Sequence, residues 1–321
     1  MKLGLFTPVL GKLTFKAMLA KVRELEKVTA IELGTGGWPG HDHIDVDALL
    51  DNKGCIAEYR AMIDDAGLTI SALSCHGNPL HPDRATAQTY DDEFRKTVRL
   101  AEQLDVPVVV TFSGCPGDSD DAKHPNWVTA PWPPEFLEVL DWQWEKKAIP
   151  YWCGASNFAA NHGVKVALEA HPGFLVYNVD SALKLRHAAG PNLGVNFDPS
   201  HFFWQGVDVP AAIRALGDSI FHVHAKDVAL DPQNVAVNGV IDTKTYRRMA
   251  ERSWLFRSVG WGHDELEWKR IVSALRMSGY DYVMSIEHED ALASVDEGLG
   301  AAIDLLSRVI LTEPPVDAWW T

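Results

Sequence analysis

The sequence is poor in cysteine, with four in 321 residues, and no two of them stand as Cys-x-x-Cys. That density is too low for a disulfide scaffold, and the spacing offers no paired-thiolate zinc motif. Cys55, Cys75, Cys115 and Cys153 are expected to be small, reduced, mostly buried side chains of a cytoplasmic protein. No apolar run approaches the roughly 18 residues that a membrane helix needs, so no membrane partner is expected. The opening Met1-Lys2-Leu3-Gly4-Leu5-Phe6-Thr7-Pro8 reads as a first strand and lacks the pattern of a secretory signal. Positive charge is scarce as well. Lys and Arg number 29 against 44 Asp and Glu, a net charge of -15, which argues against a nucleic-acid partner. No Gly-rich phosphate loop of the P-loop type is present.

What remains is an ordinary globular composition, 46% hydrophobic and 23% charged, with a repeated pattern inside it. Short β-branched apolar runs predict strands at Leu3–Val9, Ala30–Gly36, Thr69–Cys75, Val106–Ser113, Val164–His171, Leu193–Asp198, Ile220–His224 and Tyr282–Glu287. Helical periodicity fills most of the gaps, as in Phe15–Lys27 behind Thr14, Asp83–Leu104, Val179–Ala189 before Gly190-Pro191, and Ser294–Val309. Eight strands alternating with helices predict an α/β fold, a (β/α)8 TIM barrel formed by one domain over residues 1–321. Two connections exceed a simple crossover, Gly114 to about Pro150 after the fourth strand and Val228 to about His263 after the seventh.

The last four strands end in ionisable residues: Leu-Glu169-Ala-His171, Asn-Phe-Asp198-Pro-Ser-His201, His222-Val-His224-Ala-Lys226-Asp227 and Ser-Ile-Glu287-His-Glu. In a parallel barrel these ends share one rim, the rim that carries active sites. Three carboxylates at one point would repel one another without a cation. Oxygen ligands with one imidazole suit Mn2+, Mg2+, Co2+ or Zn2+.

These motifs resemble the xylose isomerase-like barrel family, which includes ketose 3-epimerases, inosose dehydratases and hydroxypyruvate isomerases. The resemblance spans nearly the whole chain and is strongest in Asn-Phe-Asp-Pro-Ser-His, His-Val-His-Ala-Lys-Asp and Ser-Ile-Glu-His-Glu. It implies that Glu169, Asp198, His224 and Glu287 hold one divalent ion, Mn2+ foremost. It also implies that Glu169 and Glu287 exchange a proton beside a substrate carbonyl, and that His201, in Asp-x-x-His, touches a substrate oxygen. The implied activity is a metal-dependent sugar isomerase or epimerase. Endonuclease IV shares the fold but needs more metal-binding histidines and a basic DNA face.

Other residues join the list by position. His171 follows Glu169 by two and faces the barrel interior as a separate candidate base. Lys226 follows His224 by two, either to hold a substrate oxygen or to pair with Asp227. His76 and His81 sit after the third strand as candidate substrate contacts. Trp127 and Trp132, in a segment that also holds Trp142, Trp144 and Trp152, are expected to wall the site against a sugar ring or an aromatic aglycone. The chain's length and tryptophan content leave a second enzyme reading, the α-subunit of a C-glycoside deglycosidase or a 3-keto-glycoside lyase. That reading carries an expected hetero-oligomer with a smaller subunit; the first carries a homo-oligomer. A non-catalytic sugar-binding barrel is the reading from outside enzymology.

Overall fold

A computed structural model describes all residues, Met1–Thr321. Eight parallel strands close into a barrel: β1 (Lys2–Phe6), β2 (Ala30–Gly34), β3 (Thr69–Ser74), β4 (Val108–Phe112), β5 (Lys165–Glu169), β6 (Leu193–Phe197), β7 (Ile220–Ala225) and β10 (Val283–Ile286). Each pairs with its neighbour in sequence order, and β10 closes the ring on β1 through Leu3 opposite Met284 and Leu5 opposite Ile286. Helices occupy the gaps and bury one stripe each against the strands. The cluster includes Val98, Leu100 and Ala101 from Arg84–Leu104, and Leu299, Ala302 and Leu306 from Val295–Val309. No helix is long and apolar enough to cross a membrane.

The helix starts follow side-chain capping. Thr14, Asp83 and Ser294 each accept from a backbone N–H of the first turn, so the helices begin at Phe15, Arg84 and Val295. Ser294 and Glu297 cap reciprocally. All the expected strands but the seventh are trimmed at their C-terminal ends; the seventh runs one residue further, to Ala225. The first stops at Phe6, because Thr7-Pro8 enters a 3-10 turn in which the missing proline N–H is not needed.

Both long connections are more ordered than their composition suggests. The first becomes helical from Glu135 and runs through Gln143–Ala148, a π-helical turn, into Ile149–Asn161. Trp144 and Trp152 are therefore helix residues, 4% and 0% exposed, packed into the core. The second folds as an antiparallel pair, β8 (Asp227–Leu230) and β9 (Trp254–Arg257). It has its own small core, in which Trp204 stacks on Trp254 at 4.8 Å beside Val228 and Phe256.

Asp227 fixes that insertion to the rim. Its Oδ2 accepts from the backbone N–H groups of Gly260, Gly262 and His263 at 3.0–3.1 Å, and its Oδ1 accepts from His263 Nδ1 at 2.8 Å. Asp227→Ala leaves those donors without an acceptor. It should lower unfolding free energy by about 2–4 kcal/mol. Urea denaturation reads this directly, and an unchanged midpoint would show the carboxylate to be dispensable.

Candidate metal centre and active site

The barrel interior is filled in most such folds by branched apolar side chains. Here its upper part is polar. Glu32 on β2, Ser71 and Ser74 on β3, Glu169 on β5, Asn196 on β6, and His222 and His224 on β7 are all buried. Strand alternation explains the pairs, since His222 and His224 lie two apart, and Asn196 and Asp198 likewise.

Glu169, Asp198, His224 and Glu287 converge, each offering one ligand atom, with those atoms all within 4.8 Å of one another. Asp198 directly follows β6 and caps the short helix Pro199–Phe203 by accepting from Ser200 N–H at 2.8 Å through Oδ1. That bond fixes the carboxylate and turns Oδ2 to the convergence point. His224 Nδ1 lies 2.9 Å from Glu287 Oε2 and 3.1 Å from Glu169 Oε2. Yet Asp198 Oδ2, His224 Nδ1 and Glu287 Oε2 are buried with no hydrogen-bond partner. Buried polar atoms are rarely left so. Atoms that crowd together without bonding one another face a common point. Cis ligands around an ion at 2.1 Å stand about 3.0 Å apart, so the donor set fits a small divalent cation.

Around these four, the groups hold one another. His76 Nε2 lies 3.0 Å from Glu169 Oε2, and Asn196 Nδ2 donates to the same oxygen at 3.1 Å. His201 Nε2 lies 3.2 Å from Asp198 Oδ2 and 3.3 Å from Glu169 Oε1, buried behind the two carboxylates. Lys226 Nζ pairs with Glu287 at 3.1 Å and Glu289 at 2.6 Å, with the Phe256 ring 4.2 Å away. Of the two expectations for Lys226, the pairing with Asp227 is not the arrangement found, because Asp227 is committed to the loop at Gly260–His263.

Charge follows from this packing. Burial alone would raise the Glu169 carboxyl, but the neighbouring imidazoles of His201, His224 and His76 hold it well below the usual range. Burial opposes a charged Lys226, yet Glu287, Glu289 and Asp198 raise it well above its ordinary value. His201 is depressed by burial and raised more by Asp198 and Glu169, to about 9. His171 goes the other way: burial, then the neighbouring His201, lowers it well below the usual imidazole value. It is therefore neutral, and because its Nδ1 donates to the Pro172 carbonyl at 2.6 Å, Nε2 carries the free lone pair.

Above the convergence point lies a cavity of about 320 Å³, lined by Glu169, His171, Glu287, Lys226 and His76 among others. Its outer wall is aromatic. Trp38 is 59% exposed and packs against Phe112 at 5.7 Å and Phe174 at 5.8 Å, with Phe112 stacked on Phe174 at 4.3 Å. Trp38 reaches this position through Gly37 at φ 64°, where a Cβ would sit 1.8 Å from the His76 carbonyl oxygen.

The structure thus brings together Glu169, His171, Asp198, His201, His224, Lys226, Glu287 and His76. It does not bring His81, Trp127 or Trp132 to this cavity. His81 turns outward, its Nδ1 accepting from Asp83 N–H at 3.0 Å, because it closes the turn before the helix Arg84–Leu104. Trp127 packs edge-on to Tyr177 at 5.4 Å, and Trp132 is 76% exposed. The aromatic wall comes instead from Trp38 and Phe112, with Phe174 stacked behind them, none of which the sequence pattern singles out. Glu32 was also missed.

The sequence profile of the xylose isomerase-like TIM barrel family matches residues 19–308. The chain belongs to that family. Among its relatives is the uncharacterized protein YfiH of Bacillus subtilis (strain 168), 39% identical over 313 residues that cover 97% of this chain and 99% of that one. Among solved structures, the fold is similar to a D-psicose 3-epimerase crystallised in the presence of D-fructose, with a TM-score of 0.63 at 16% identity over 98% of this chain and 100% of that one. It is equally similar to an IolI protein with a bound zinc atom, with a TM-score of 0.63 at 20% identity over 97% of this chain and 99% of that one.

Proposed function

We propose that the protein is a divalent-metal-dependent sugar isomerase or epimerase that moves a proton beside the carbonyl of a sugar or keto-sugar. The observation that carries this reading is the set of orphaned atoms of Asp198, His224 and Glu287, gathered with Glu169 beneath an open cavity. A divalent ion bound by these four, Mn2+ foremost and Mg2+, Co2+ or Zn2+ after it, would supply Lewis-acid stabilisation of negative charge on substrate oxygens. Bound zinc in the IolI protein and epimerase chemistry in D-psicose 3-epimerase support the same class.

The protein groups supply the rest. Glu169 and Glu287 both line the cavity, and in this reading they take and return a proton at a substrate carbon. His171 is a third proton acceptor, neutral and with Nε2 free. Lys226 offers an ammonium to a substrate oxygen from the same wall. The Trp38–Phe112 wall, backed by Phe174, gives an apolar face for a sugar ring and keeps water from a charged intermediate.

That wall also favours the second enzyme reading, elimination of an aglycone from a 3-oxo-glycoside, which begins with the same deprotonation. Both readings are tested together. The Mn2+-loaded protein is incubated in D2O with free ketoses, inososes and 3-oxo-glucosides bearing aromatic aglycones, and C–H exchange is followed by NMR. Exchange on a free ketose with return of the epimer supports the first reading. Exchange followed by release of the aglycone supports the second. Binding without exchange on any of the panel would leave a sugar-binding barrel and remove both.

A further inference from the structure

We infer that Glu32 is a positioning residue that selects which nitrogen of His224 faces the ion. The inference rests on the reading of the site as a divalent-ion centre and concerns the layer beneath it.

Glu32 lies in the middle of β2, 0% exposed, inside the barrel. A carboxylate there is costly unless it is bonded. It is bonded twice. Ser74 Oγ donates to Oε1, and His224 Nε2 lies 2.9 Å from Oε1 and 3.1 Å from Oε2. A carboxylate with no proton of its own can only accept, so the proton of that contact belongs to His224 Nε2. Nδ1 is then the nitrogen whose lone pair an ion would take, and Nδ1 is the atom that stands orphaned between Glu169 and Glu287. A carboxylate behind a metal-bound imidazole fixes its tautomer and ring orientation and makes it a better ligand.

A second chain in the same layer acts on Glu169. His222 Nδ1 lies 3.0 Å from Asn196 Oδ1, and Asn196 Nδ2 donates to Glu169 Oε2 at 3.1 Å. The amide oxygen accepts, so His222 Nδ1 carries the proton. Two of the four ligands are thus aimed from below by residues that do not reach the cavity. Neither Glu32 nor Asn196 nor His222 lines it.

The same layer contains a competing arrangement. Glu32, His222 and His224 also lie close enough to hold an ion among themselves. In that case His224 Nε2 would be a ligand and not a donor, and the chain would hold two ions.

The test is metal binding by Glu32→Gln, read by titration with Mn2+ and by the visible absorption of the Co2+-loaded protein. Wild-type protein should bind one ion per chain. The neutral amide should weaken Mn2+ affinity roughly 10- to 100-fold and shift the Co2+ bands, since the ligand's basicity and angle both change. Far-UV circular dichroism and a cooperative melt establish that the variant is folded. If it is not, Ser74→Ala, which removes only one bond to the same carboxylate, should weaken affinity severalfold in its place. Unchanged affinity and spectrum in the folded variant would overturn the inference and leave the proposed function standing. Two ions per wild-type chain would also overturn it. A wild-type chain that binds no divalent ion would bring down the functional reading and this inference with it.

Discussion

Asp198→Asn should abolish metal binding and reduce turnover to the level of chelated protein, while the melting temperature hardly moves. The two carboxylate oxygens have separate work. Oδ1 accepts from Ser200 N–H at 2.8 Å and starts the helix Pro199–Phe203. An amide oxygen can take over that bond, and the Ser200 donor selects it, so the amide nitrogen falls where Oδ2 was. That nitrogen carries two protons and no lone pair to donate. It also removes a negative charge that faces Lys226 Nζ at 3.8 Å and His201 Nε2 at 3.2 Å. Metal content by mass spectrometry, with a thermal melt on the same sample, separates the two effects. Full metal occupancy in Asp198→Asn would remove Asp198 from the ligand set.

Glu287→Gln should retain much of the metal and lose turnover by roughly 10^2 to 10^4, with a much smaller change in KM. Glu287 is the most accessible of the four, with 14% of its side chain exposed, against 3% or less for the other three. It also lines the cavity, where a substrate carbon can approach it. Its Oε1 faces Lys226 at 3.1 Å, but no backbone N–H fixes which amide atom lies there, so a bound ion can select the amide oxygen at the loss of that contact. What the amide cannot do is accept a proton from carbon. Unchanged kcat would assign the proton transfer to Glu169 or His171. Loss of metal in parallel with activity would make Glu287 chiefly a ligand.

The eight strands and their common rim were legible because each apolar run is short, β-branched and followed by a helical stretch. The four candidate ligands were legible for a related reason: Glu169, Asp198, His224 and Glu287 each stand at or next to the end of a strand, where the period-two pattern runs out. Glu32 was not, although a signal existed. In Ala-Ile-Glu-Leu-Gly a lone carboxylate interrupts an apolar strand, and an inward carboxylate needs a partner. The partner is His224, 192 residues away, which no local pattern reveals. Trp38 depends on a left-handed backbone at Gly37, a property of the turn and not of the tryptophan. The Trp-rich segment misled because composition does not give direction. From Glu135 it is helix, and Trp144 and Trp152 turn into the core on helical spacing. The β8–β9 pair was hidden by the 23 residues between Leu230 and Trp254, which outrun any hairpin signal.

The measurement that bears most directly on the site is the anomalous scattering of a crystal grown with Mn2+. One strong peak per chain is expected, about 2.0–2.5 Å from carboxylate oxygens of Glu169, Asp198 and Glu287 and from Nδ1 of His224. A peak bound through His224 Nε2, a peak elsewhere on the rim, or no peak at all under conditions where the protein is active would contradict the assignment.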